Sequence, residues 1–120
     1  MGPLSGTRVL DLTDERGLLA GRILADLGAD VVQVEPVGGS PARRRHPRPS
    51  GGSFTTSYVW QAYAANKRGI TIDLDTGHGR RLAHDLSAAA DVVIECDGPS
   101  VQGPRHLDAD DLWRRNPHLV

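Results

Sequence analysis

Few residues in this 120-residue chain have the type and spacing that chemistry requires. Asp11 and Asp73 stand near the ends of strand-like runs, where a carboxylate could move protons, although such residues more often cap the following turn. Glu35 ends a second run, the place where nicotinamide enzymes keep a ribose-binding carboxylate. The first loop, however, lacks G-x-G-x-x-G: Gly17 and Gly21 are spaced differently, and Asp14 and Glu15 would repel a pyrophosphate. No G-x-x-x-x-G-K-[ST] motif is present either. The five histidines, His46, His78, His84, His106 and His118, have no H-x-x-x-H or C-x-x-C partners, so no metal site is expected. Cys96, following an apolar run, reads as a packing thiol rather than a nucleophile. Arg43, Arg44, Arg45 and Arg48 could meet an anion such as a phosphate, or simply lie on a solvated loop. No complete catalytic constellation can be assembled from these residues.

The elements that must position them are clearer. Arg8–Leu12 (RVLDL) reads as a buried strand. Thr13 is a plausible N-cap for the next helix, with Asp14 and Glu15 where the helix dipole favours negative charge. Leu19, Ile23 and Leu27 share one helical face, and Arg22 and Asp26 point elsewhere. Gly28 suits the position just past the helix, and Val31, Val32 and Val34 supply a second strand. Together these make a βαβ unit, which should be right-handed and buried on both faces.

Residues 36–65 form a long Pro-, Gly- and Arg-rich and then aromatic insertion. Phe54, Tyr58, Trp60 and Tyr63 fit either a strand or a helical turn, and packing over the sheet edge is the expected role. Asn66–Gly69 reads as a turn and Gly69–Leu74 as the third strand. Thr76 is a candidate N-cap for a helix whose apolar stripe is Leu82, Leu86 and Ala89. Asp91–Glu95 is a fourth strand, and Cys96–Pro99 a loop beyond it. Asp108–Arg115 is a short helix with acids first and arginines last. His118–Val120 looks like the opening of a fifth strand, so the sheet reads as truncated there and the chain as continuing.

Composition limits the function classes. With 14 Lys+Arg against 15 Asp+Glu, no basic footprint suggests nucleic acid. No run approaches the roughly 18 apolar residues of a membrane span, and the N-terminus lacks the layout of a secretory signal. A single cysteine agrees with a reducing cytoplasm. Length allows one domain, not two.

Five ordered blocks carry a more specific signal: PLSGTRVLDLT, AGRILADLGADVVQVEPVGGSPAR, NKRGITIDLDTGHGRRL, ADVVIECDGPS and LWRRNPHLV. In order and spacing they resemble the family III CoA-transferases (the CaiB/BaiF group), which include the α-methylacyl-CoA racemases. The resemblance implies that residues 1–120 are the N-terminal part of a CoA-binding, Rossmann-like α/β domain with a mostly parallel sheet and flanking helices. It further implies a full chain about three times longer, an interlocked homodimer, and acyl-CoA and carboxylic acid substrates. Transferases of this kind use an aspartyl intermediate; the racemases use a His and an acid to move the α-proton. In both branches those groups would follow Val120, so this stretch alone is expected to be inactive.

For CoA binding, the family's adenine-side aliphatic position falls at Ile72. The loop after strand four usually reads E-N-[FY]-[RG]-P-G and is here Glu95-Cys96-Asp97-Gly98-Pro99-Ser100, which places Asp97 and Gly98 at the cofactor. A phosphate-seeking arginine aligns with Pro104, with Arg105 beside it. The frequent A-G-P before the first helix is replaced by Glu15-Arg16-Gly17. These departures leave open a non-catalytic, degenerate CoA-binding or scaffold domain.

Overall fold

In a computed structural model, residues 1–51, 56–96 and 107–120 are described. The elements run β1 (Arg8–Asp11), α1 (Leu18–Asp26), β2 (Asp30–Glu35), a 3-10 turn (Pro41–Arg44), α2 (Tyr58–Tyr63), β3 (Arg68–Thr71), α3 (Gly77–Ala89), β4 (Val92–Ile94) and α4 (Ala109–Arg115). The four strands form one sheet in the order β3-β2-β1-β4, and every pairing is parallel. In register, Leu10 lies opposite Val32 and Val93, and Asp11 opposite Gln33 and Ile94. The α/β class and the parallel sheet are therefore as expected. The last residues also begin to pair on the outer side of β4, where Val120 N donates to Asp91 O and Val93 N donates to Val120 O.

The sheet has two unlike faces because side chains alternate along each strand. On one face Leu10, Val34 and Ile72 join Ala83, Ala90, Leu107, Leu112 and Leu119 in an apolar core under α3 and α4. On the other, Val9, Ala29 and Val31 pack with Leu24 and Ala25 beneath α1.

The βαβ unit forms, but its helix differs from expectation in two respects. Thr13 does not cap it. The helix starts at Leu18 with Gly17 at the N-cap, and Thr13 instead turns back onto Asp11 through both its N–H (3.0 Å) and its hydroxyl (2.6 Å). Asp14 likewise serves the loop, accepting from Arg16. The apolar stripe is also reversed: Leu19, Ile23 and Leu27 are 51%, 50% and 41% exposed, while Leu18 and Gly21 are buried. Small residues bring α1 close to the sheet; a Cβ on Gly21 would collide with Asp11 Oδ2. The same reversal recurs in α3, where Gly79, Ala83 and Ser87 are buried and Leu82 and Leu86 are exposed. Gly28 fulfils its expected role with φ at +103°, a conformation that costs glycine little.

Thr76 caps α3 by accepting from Gly79 N, and Asp108 caps α4 by accepting from the amides of Asp110 and Asp111. The third strand stops at Thr71, short of the Leu74 read from alternation, because Asp73 and Thr76 close a turn there. The fourth is likewise shorter, Val92–Ile94. The 36–65 stretch resolves in its described parts into the 3-10 turn and α2, so Tyr58, Trp60 and Tyr63 are helical.

Candidate functional site

The loops leaving β1, β2, β3 and β4 meet at the carboxyl edge of the sheet and enclose a cleft of about 440 Å³. Open α/β sheets bind ligands at this edge. Its apolar floor is Leu12, Val34, Ile72 and Leu74, continuous with the core below. One wall comes from Pro36, Val37, Ser40 and Pro41, and the lip opposite from Thr13 and Asp14, with Glu95 and Cys96 closing one end.

The wall is held by Glu35. Its carboxylate accepts from Arg43 Nε (2.7 Å) and Nη2 (3.1 Å) and from Ser40 N (3.4 Å). The Arg43 guanidinium in turn lies 4.1 Å from the centre of the Trp60 ring, a cation–π contact. Ser57 completes the brace by donating to Ala42 O. Glu35 is thus occupied by a guanidinium rather than presented to a ribose. Nor do the arginines gather as one anion site: Arg43 serves Glu35, Arg44 donates to Gly38 O, and Arg45 pairs with Glu15.

The lip is held by a buried polar cluster that sequence reading missed. Lys67, expected only in a turn, has a side chain 1% exposed against 0% for Asp11. Its Nζ donates to Asp11 Oδ2 (2.8 Å), Leu18 O (2.8 Å) and Gln33 Oε1 (3.0 Å). All three ammonium protons are therefore used. Gln33 Nε2 bridges Asp11 O (3.2 Å) and Thr13 O (3.0 Å). No buried side-chain nitrogen or oxygen among the described residues lacks a partner. Asp11 therefore caps its turn and also neutralises Lys67; Asp73 caps its own turn through Asp75 N. The sequence cue to the cluster was that polar Asp11 and Gln33 alternate with apolar residues in otherwise buried strand runs.

Two groups at the cleft mouth have altered proton affinity. Hydrogen bonding to the Arg16 guanidinium holds Asp14 below the usual carboxylate range, against a smaller opposing effect of burial. Burial, with Asp14 alongside, pushes the Cys96 thiol up, which suits a packing thiol and not a nucleophile. Of the residues assigned to CoA, Ile72 is buried in the cleft floor. Asp97, Gly98 and Arg105 lie outside the described residues. Among the described residues no group of three His, Cys, Asp or Glu could hold a metal ion, and no helix is long and apolar enough to cross a membrane.

An open parallel sheet with a cleft at its carboxyl edge defines a class of α/β ligand-binding domains. Within that class the chain belongs to CoA-transferase family III, whose model matches residues 4–120. It is 39% identical over 122 residues to the probable fatty acyl-CoA transferase Rv3272 of Mycobacterium tuberculosis, covering 98% of this chain and 30% of that protein. It is 40% identical over 126 residues to a succinate–glutarate CoA-transferase of Agrobacterium fabrum, covering 98% and 31%. Among solved structures, a CaiB/BaiF family protein from Brucella suis matches with a TM-score of 0.85 and 36% identity, over 99% of this chain and 32% of that one. The chain thus spans about a third of the length of such relatives.

Proposed function

We propose that this chain is the N-terminal, CoA-side part of a family III CoA-transferase that moves CoA between carboxylic acids. The observation that carries the reading is the cleft itself: Ile72, the residue the family pattern puts at the adenine, forms its floor at the edge where such sheets take ligands. Leu12, Val34 and Leu74 extend that floor into an apolar surface suited to a flat base. The family pattern assigns Asp97, Gly98 and Arg105 to CoA as well, Arg105 for a phosphate. Transfer proceeds through an aspartyl intermediate, a form of nucleophilic catalysis, on a residue outside these 120. The chain alone is inactive. The full-length protein is a homodimer, as the family resemblance implies.

The test is to incubate the full-length protein with an acyl-CoA and a second carboxylic acid in deuterated water. Acyl exchange without label at the α-carbon supports the transferase. Label without exchange assigns the racemase reaction instead, and failure to bind CoA assigns a scaffold role. Turnover by the 120-residue chain alone would overturn the placement of the catalytic group elsewhere.

A further inference from the structure

We infer that Lys67 is a positioning residue for the cleft: it never meets the ligand but, through Asp11 and Gln33, sets where the Thr13–Asp14 lip stands. The inference rests on the CoA reading of the cleft. Its geometric basis is that both polar sides of Thr13 are tied to the cluster. The Thr13 N–H and hydroxyl donate to Asp11 Oδ1, and the Thr13 carbonyl accepts from Gln33 Nε2. Lys67 holds both of those partners at once, Asp11 by its other oxygen and Gln33 by its amide oxygen. The fixed direction of Gln33 matters, because with Oε1 facing the ammonium its Nε2 must point at the loop carbonyls. The third Lys67 proton reaches Leu18 O, so the same ammonium also fixes where α1 leaves the loop.

One cation just before β3 thereby fixes the end of β1, the middle of β2 and the first turn of α1 against one another. Of the parts of the cleft, the lip is the one whose backbone the cluster bonds directly. The floor and the opposite wall rest on apolar packing and on the Glu35–Arg43 brace. Gly21 shows how closely the cluster is enclosed, since a Cβ there would also approach Lys67 Nζ to 3.0 Å. A ligand group seated between lip and floor is displaced when the lip shifts, and small misplacements are enough to lower affinity severalfold or more.

The test uses the full-length protein, with CoA as probe and calorimetric titration at a temperature where circular dichroism shows each variant folded. Lys67→Met leaves Asp11 charged and Gln33 undirected, and CoA affinity should fall by about tenfold or more. Lys67→Met combined with Asp11→Asn removes the stranded charge and keeps an acceptor for Thr13, so part of the lost affinity should return, the remainder reflecting the undirected Gln33. A merely structural lysine would lower the melting temperature in both variants without this loss and rescue. Folded Lys67→Met that binds CoA within about twofold of wild type overturns the inference and leaves the CoA reading intact. If Lys67→Met does not fold, Gln33→Met decides. It keeps the ion pair but deletes the bonds to the carbonyls of Asp11 and Thr13, and unchanged affinity overturns the inference. Absence of CoA binding by the wild type overturns both.

Discussion

The two faces of the sheet are stabilised by different physics, and adjacent residues of β1 show it. Leu10 faces α3 and α4 and packs into the apolar core there. Asp11 faces α1 and is wholly buried, with a lysine, a threonine and a glutamine around it. Apolar packing is non-directional and tolerates small shifts, whereas a hydrogen-bonded ion pair specifies angles as well as distances. The apolar face therefore suits the floor of a cleft, which needs only to be flat and dry. The polar cluster suits a lip, whose backbone must stand at one position. The face carrying the cluster becomes polar only toward the carboxyl ends of the strands, as Val9 gives way to Asp11 and Val31 to Gln33 and Glu35.

Breaking one partner of the polar cluster should have the largest effect. Asp11→Ala leaves the Lys67 ammonium buried without its counter-charge, and the expected loss is about 4 kcal/mol, read from urea unfolding. Leu10→Ala, its neighbour on the other face, removes apolar volume from a packed core and should cost about 3 kcal/mol. A Leu10→Ala cost well above that of Asp11→Ala would reverse the comparison and make the apolar face the more sensitive one. Thr76→Ala, at the start of α3, deletes only a cap to Gly79 N and should cost about 1 kcal/mol.

How much of this was legible in sequence follows the same division. The strands were readable because β-branched and apolar runs ended at turn residues, and the cap at Thr76 because a side-chain oxygen preceded a helical pattern. The helix faces misled. Gly21 and Ala25, and likewise Gly79, Ala83 and Ser87, bring their helices close to the sheet by being small, so the leucines that dominate a hydrophobic pattern point outward. The apolar floor at Ile72 was found through its place in a recognised block. The lip cluster was not, since Lys67 and Asp11 are 56 positions apart and no local pattern links a turn lysine to a strand aspartate.

Cys96 separates the cleft mouth from its floor in a simple chemical measurement. Burial raises its proton affinity, so less thiolate is present at a given pH than in a free cysteine. Alkylation by iodoacetamide should be slower than for cysteine in a short peptide, and its rate should climb at a higher pH. A rate equal to or above the peptide's would mean an activated thiol and assign Cys96 a chemical part in the cleft.

The smallest effect belongs to the outermost contact of the lip, the exposed Asp14–Arg16 pair at 2.7 Å. Because the guanidinium holds Asp14 below its ordinary value of 3.8 in the folded protein, the folded state favours the carboxylate more than the unfolded chain does. The resulting stabilisation is complete above that ordinary value and is lost as pH falls through the lowered folded one. It is small, since both side chains are solvated. Unfolding midpoints of wild type and Asp14→Asn should therefore differ slightly at pH 6 and converge as the pH falls through the lowered folded value. A difference that grows with acidification would show that the pair does not form, leaving the lip to the buried Lys67 cluster alone.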